Sequence, residues 1–173
     1  MAKGAEKIYR LAVSEMKNEN WLDAIALLKQ DRVALRSDWR FAWELGWCYF
    51  KLGGMTDSRR YLVAATRLAP ENPICKTALG QVYLKLGQYQ KAELILSEAL
   101  HIKESNWTRI SLALAYLAQG KLEQAEKMHI ENIKHKPKQS GRYESYAAFL
   151  SDVGRDAEAE EMKRRAEELR RVN

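Results

Sequence analysis

Leu79-Gly80-Gln81-Val82-Tyr83-Leu84-Lys85-Leu86-Gly87-Gln88-Tyr89-Gln90-Lys91-Ala92-Glu93-Leu94-Ile95-Leu96 is the stretch whose reading decides the fold. On either side of Gly87 the apolar residues recur three and four apart, which is the pattern of amphipathic helices and not of strands. A glycine between two such runs suits a helix C-terminus that turns through positive φ. Working outward, Gly53, Gly87, Gly120 and Gly154 stand 34, 33 and 34 residues apart. In front of them come Leu45-Gly46-x-x-Tyr49, Leu79-Gly80-x-x-Tyr83, Leu112-Ala113-x-x-Tyr116 and Tyr146-Ala147-x-x-Leu150. Behind them come Ser58-x-x-x-Leu62, Ala92-x-x-x-Leu96, Ala125-x-x-x-His129 and Ala159-x-x-x-Lys163, and Pro70 and Pro137 close two of the units.

These residues resemble the tetratricopeptide repeat (TPR), whose unit of ~34 residues carries Leu-Gly-x-x-Tyr on a first helix, Ala-x-x-x-Phe on a second and a late proline. One period further back, Leu11-Ala12 and Ala24-x-x-x-Leu28 fit the same slots, with Glu15 in place of the tyrosine and Glu19 in place of the turn glycine. The expected fold is all-α, a helix-turn-helix repeat solenoid of about five repeats and ten helices. The repeats fall at about 5–38, 39–72, 73–105, 106–139 and 140–173, one TPR domain over 1–173. The resemblance implies a right-handed superhelix. Physics implies an array in which each unit buries its apolar face only against its neighbours. Gly46, Gly80 and Ala113 on first helices and Ala24, Ala92 and Ala125 on second ones are read as places where helices approach closely. Asn72-Pro73 reads as a capped helix start. The slot of Leu28, Leu62 and Leu96 becomes Lys163 in the last unit, which predicts an end to the array, since stacking there would desolvate charge.

Of the 173 residues, 46% are apolar and 30% charged, the profile of a soluble chain with material for an extended core. No apolar run approaches the ~18 residues a membrane span needs, and the first residues run into an amphipathic pattern, so a cytoplasmic location is expected. The only cysteines, Cys48 and Cys75, fit neither a disulfide framework nor a metal spacing and read as buried thiols. No histidine of His101, His129 and His135 stands four residues from another, and nucleophile elbows, phosphate loops and zinc spacings do not occur. The chain is therefore read as a non-enzyme without cofactor or metal. His129, filling an apolar slot, reads as a structural histidine.

What remains is surface. At ~100° per residue, Ala42, Leu45, Gly46 and Tyr49 take the packing side of one helix, while Trp43, Trp47 and Phe50 point the other way. In tetratricopeptide proteins that second side lines a concave groove. The matching positions are Tyr9 and Val13, then Thr77, Gln81 and Leu84, then Ile110, Leu114 and Leu117, with Trp107 beside them and Arg40, Lys51 and Lys85 interleaved. An apolar-aromatic strip rimmed by polar groups is the usual mark of an interaction site. The groove reading makes the chain a scaffold or adaptor for a partner peptide or helix. Packing against a neighbouring unit and burial in a homodimer are the competing readings of the tryptophans. The carboxylate clamp of chaperone-binding members is absent: starting at the first unit, its slots hold Tyr9, Val13, Glu44, Ile74 and Ala78, and no other register supplies it.

Two rival functions stand beside the scaffold. Chain length and cytosolic character resemble the TPR chaperones of type III secretion translocators, although five units with almost no N-terminal extension depart from their pattern. A net charge of +6 and the segment Lys134-His135-Lys136-Pro137-Lys138 with Arg142, together with Arg59-Arg60, raise nucleic-acid binding. The excess of positive charge is spread thinly over the units, which argues against a nucleic-acid partner.

Cys48 lies late in one first helix and Cys75 early in the next, so in roughly parallel helices they are offset by about 10 Å at 1.5 Å per residue. That exceeds the ~7 Å Cα limit for bridging. Mass spectrometry without reductant is expected to find both thiols free; a Cys48–Cys75 crosslink would overturn the helix placement.

Overall fold

Five times along the chain a helix ends in the same backbone turn. In the computed structural model, which describes residues 3–172, Gly53, Gly87, Gly120 and Gly154 adopt φ of 78°, 69°, 72° and 78°. Glu19, in the equivalent place, adopts φ of 61° and is the one non-glycine residue with positive φ among those described. The amide that follows each of these residues donates back to the carbonyl of the slot read from the sequence as tyrosine. These bonds run from Asn20 to Glu15 (2.9 Å), Gly54 to Tyr49 (2.8 Å), Gln88 to Tyr83 (2.9 Å), Lys121 to Tyr116 (3.0 Å) and Arg155 to Leu150 (2.8 Å). This is the six-to-one bond of a Schellman turn, which satisfies a helix-end carbonyl and fixes where the next helix begins.

The described residues form eleven helices and no strand. They are α1 (Lys3–Lys17), α2 (Trp21–Gln30), α3 (Arg32–Ser37), α4 (Trp39–Lys51), α5 (Met55–Leu68), α6 (Pro73–Lys85), α7 (Tyr89–Ile102), α8 (Asn106–Leu117), α9 (Leu122–His135), α10 (Ser140–Asp152) and α11 (Asp156–Val172). The count exceeds the expected ten because the second helix of the first repeat is broken at Asp31. Its carboxylate accepts from the Ala34 amide (2.9 Å) and starts α3 as a separate short helix. Asp38 and Asn72 cap α4 and α6 in the same way, accepting from Arg40 (3.0 Å) and Ile74 (2.9 Å).

The helices gather into two compact units, one through Lys103 and one from Glu104. In the first, α1, α2, α4, α5, α6 and α7 pack in succession. Its close approaches lie at the small residues: a Cβ on Gly46 would stand 2.7 Å from Leu62 Cγ, and one on Gly80 would stand 2.5 Å from Leu96 Cγ. Leu28, Leu62 and Leu96 are fully buried. Cys48 belongs to a cluster with Leu28, Phe41 and Leu45, whereas Cys75 packs with Ala42 and Ala65. Burial pushes both thiols up to about 12.

The second unit packs α8 on α9, α9 on α10 and α10 on α11 around Ala125, Phe149, Leu150 and Ala159. His129 is 4% exposed, its ring centroid 5.1 Å from Phe149 and 5.8 Å from Tyr146, with Ser145 Oγ 3.4 Å from Nδ1. Burial depresses its pKa to about 4, against an upward pull from Glu126. The structural reading of this histidine stands. Lys163, in the corresponding slot of α11, is exposed and pairs with Glu160 at 2.6 Å.

Glu19→Gly removes a side chain from left-handed backbone and is expected to stabilise the protein by about 1 kcal/mol, whereas Gly80→Ala, driving a Cβ into Leu96, costs about 1–3 kcal/mol. Chemical denaturation of the two variants measures both signs. Because His129 is neutral when folded and protonates more readily when unfolded, its contribution is complete above pH ~6.5 and is lost as pH falls toward 4, up to about 3 kcal/mol. Stability of His129→Phe measured across that window is expected to fall less steeply than that of the wild type.

Candidate functional site

The aromatic residues of α4 form a ladder along one helix face. Trp43 and Trp47, one turn apart, stack at 5.9 Å with 5° between planes, and Trp47 continues onto Phe50 at 5.2 Å and 12°. Offset stacks of this kind hold each ring in place through its neighbours. All three are half-buried. Trp43 packs against two clusters, one of Leu62, Ala78, Leu79 and Val82 and one of Ala42, Ala65 and Cys75; Phe50 packs against the first. Trp47 joins neither of these two. The division of α4 into a packing side and a free side is therefore less sharp than its sequence suggests. Trp43 serves both, and its indole Nε1 is buried without an acceptor.

Beside the ladder, the Tyr9 hydroxyl of α1 donates to Glu44 Oε1 at 2.9 Å, and the Tyr9 ring lies 5.7 Å from Phe41. Glu44 is 8% exposed; burial raises its carboxyl above the usual range, and the Tyr9 bond opposes that rise. Burial, and then Glu44, push the Tyr9 phenol upward in turn. Arg40 reaches over the Tyr9 ring (5.3 Å) while holding Asp38 at 2.7 Å, and that bond raises its pKa. Lys51 stands apart from the ladder, over the Trp21 ring of α2 at 5.4 Å. Leu84 of α6 is half-buried. In the first unit the structure thus brings together Trp43, Trp47 and Phe50, and separately Tyr9 and Arg40, and directs Lys51 elsewhere.

In the second unit Ile110 and Leu114 line a small cleft of about 120 Å³ with Leu117 of the same helix and Ala148 and Phe149 of α10. Leu114 is 48% exposed and Trp107 57%. Thr77 and Gln81, expected on the groove wall, are buried instead. Sequence reasoning did not single out Glu44 as the buried acid beside the ladder. The signal was a carboxylate one residue from Leu45 on an otherwise apolar helix. No group of three or more acidic, histidine or cysteine residues among those described could hold a metal ion, and no described helix is long and apolar enough to cross a membrane.

Comparison with known proteins places this geometry in context. No curated protein matches the chain. Among solved structures, MamA residues 41 to end from Desulfovibrio magneticus RS-1 superposes with a TM-score of 0.83 at 18% identity, covering 100% of this chain and 98% of that one. MamA MSR-1 gives 0.72 at 23% identity, with 95% of each chain covered. A tetratricopeptide repeat protein from Parabacteroides merdae ATCC 43184 gives 0.82 at 18%, with 91% of this chain and 62% of that one covered. At these identities the likeness is one of fold. Tetratricopeptide repeat family models match residues 9–73 and 49–106, and a further one residues 106–128. Those matches extend over more than half of the sequence, and the chain belongs to the tetratricopeptide repeat family.

Proposed function

We propose that the protein is a non-catalytic interaction scaffold that binds a partner peptide or helix through apolar and aromatic anchors, with Trp47 at the centre of the contact surface. The observation that carries this reading is the ladder of α4. Trp47 is held by stacking on Trp43 and Phe50 rather than by the two clusters that these neighbours pack against. A large ring fixed in advance loses little rotamer freedom on binding and buries a large apolar area, which is why tryptophan dominates interface energetics. Tyr9, Arg40 and Leu84 are assigned to the flanks of the same surface. Trp107, Ile110 and Leu114 are assigned to a second apolar contact surface on α8, where exposure of Trp107 and Leu114 supports the reading. Lys51, occupied over Trp21, is a weaker member of the set. A cytoplasmic setting fits the chain's composition. The membership of the family supports protein binding in general, and the absence of a clustered nucleophile, acid and base in the reading of the sequence supports a role without catalysis.

Trp47→Ala separates this proposal from ordinary packing and from self-association. As an interface anchor, Trp47 contributes about 2 kcal/mol or more to binding, so its loss is expected to abolish capture of the partner while lowering folding stability clearly less than Trp43→Ala does. Trp43→Ala, which opens two clusters, is expected to cost about 3 kcal/mol or more of stability. Affinity capture with both variants, thermal melts and sedimentation velocity together decide the matter. A melt of Trp47→Ala as low as that of Trp43→Ala assigns the ladder to the core, and a wild-type dimer that Trp47→Ala dissociates assigns it to a homodimer interface.

A further inference from the structure

The second unit carries a polar pocket that neither the repeat nor the peptide surface accounts for. It lies at the turn between α9 and α10, has a volume of about 550 Å³, and is lined by Asn106, Lys138, Gln139, Ser140, Gly141, Arg142, Leu169 and Arg170. Three of these side chains are cationic. Arg170 pairs with Glu144 (2.6 Å), the only carboxylate that the lining residues engage among the described ion pairs.

Arg142 is a buried cation, 5% exposed. Its Nε donates to Gln139 Oε1 (2.8 Å) and its Nη1 to Asn132 Oδ1 (2.9 Å) and to the Asn132 carbonyl, while Asn132 Nδ2 donates to Asn106 Oδ1. The acceptors that fix Arg142 are neutral amides, so its charge is positioned without being cancelled. A second buried guanidinium stands nearby. Arg109, 6% exposed, meets Glu104 through Nη2, but its Nε and Nη1 are buried without acceptors. Burial, and then the Arg109 cation, depress the pKa of Arg142. Arg109 is offset by Glu104, but the Arg142 charge, held by neutral amides at the pocket wall, is costly out of water and is one that an anion in the pocket offsets.

The repeat itself does not require this chemistry. One period earlier, counting by the turn glycines, the slots of Asn132 and Arg142 hold Ala99 and Thr108; the preceding counterparts are Ala65 and Cys75, which pack directly on one another's cluster. The fold is therefore built equally well from an apolar pair, and the polar pair answers another need. Gly141 points the same way. It lies in the first turn of α10, where a Cβ would meet nothing within 4 Å, so no packing contact demands a glycine there. A bare backbone in a first helical turn permits close approach of a ligand to the amides. No side chain caps these amides, since Gln139 at the cap position makes no such bond. The basic segment Lys134-His135-Lys136-Pro137-Lys138, unexplained by the peptide surface, leads into the pocket and contributes Lys138 to its lining.

We propose that this pocket binds a small phosphate monoester, its dianionic head on the Ser140 and Gly141 amides between Lys138, Arg142 and Arg170, and its organic part in the remaining volume. A dianion matches the two cations left after Glu144 is set against Arg170, which a single carboxylate does not. The volume lies in the range of small-molecule sites, about 300–1,000 Å³, and exceeds what a bare phosphate fills.

The test is a titration followed by amide resonances, with O-phosphoserine, inorganic phosphate and, at matched ionic strength, chloride as probes. Saturable shifts at Ser140 and Gly141 with both phosphates, tighter for phosphoserine, are expected. Lys138→Gln with Arg170→Gln, both on exposed side chains, is expected to weaken binding about tenfold or more. Gly141→Ala raises helix propensity, so it should raise the melting temperature while weakening binding, a pair of signs that misfolding cannot produce. Shifts that track chloride, or a double variant with undiminished affinity, overturn the site. Tighter binding of inorganic phosphate than of phosphoserine overturns the ester assignment. A single-stranded oligonucleotide binding far more tightly than either, with a steep salt dependence, assigns the basic segment to nucleic acid instead.

Discussion

The structure depends on one backbone turn made five times. In each repeat the residue after a left-handed position returns its amide to a carbonyl five residues earlier, at 2.8–3.0 Å, and this bond sets the point at which the chain reverses. Side chains enter later. Once the turn is closed, the small residue of the first helix is carried opposite the leucine of the second, and Gly46 and Gly80 leave no room for a methyl group beside Leu62 and Leu96. The apolar clusters then fill between helices already constrained to be antiparallel neighbours. That order explains why the first repeat survives two departures. Glu15 contributes the same carbonyl as any tyrosine, and Glu19 reaches the same φ region at a steric cost that glycine avoids.

The legible part of the fold is the part that the period writes into the chain. Turn positions, capping residues and close-packed slots repeat at fixed spacing, and each has a single physical solution, so the turns at Gly53, Gly87, Gly120 and Gly154 are readable from the sequence. The break at Asp31 was not visible in this way. It depends on whether a carboxylate turns back to the Ala34 amide, a local choice between two hydrogen-bonding states of similar energy. The aromatic strip was legible as residue types on a face. How far each ring sinks between helices was not, because that depends on the neighbour's side chains: Ala65, Ala78 and Leu79 make room for Trp43, and they leave Trp47 to lean on its own helix.

Departures from the repeat pattern carry more information about function than agreement does. A slot filled by alanine in three helices and by asparagine in a fourth marks a place where packing has been exchanged for hydrogen bonding. Asn132 is such a place, and its counterparts Ala65, Ala99 and Ala166 are all buried. The same comparison applied to His129, which follows three leucines, gives a different result: its ring stacks on Tyr146 and lies tilted against Phe149, and these partners account for it. The two cases separate because Arg142 brings charge into the interior beside Asn132, while His129 is held neutral.

A repeat array also limits what any single helix can do for binding. Each unit contacts only its neighbours, so a contact surface on a first helix has to be held by that helix and the next one along. α4 meets this limit by stacking three rings at spacings of four and three residues, which keeps them on one face and restricts Trp47 from both sides. Trp43 is anchored by the clusters of the neighbouring helices, and the half-buried Trp47 ring is held to it through the stack. A side chain held in that way has little rotamer freedom left to lose when its exposed part is covered.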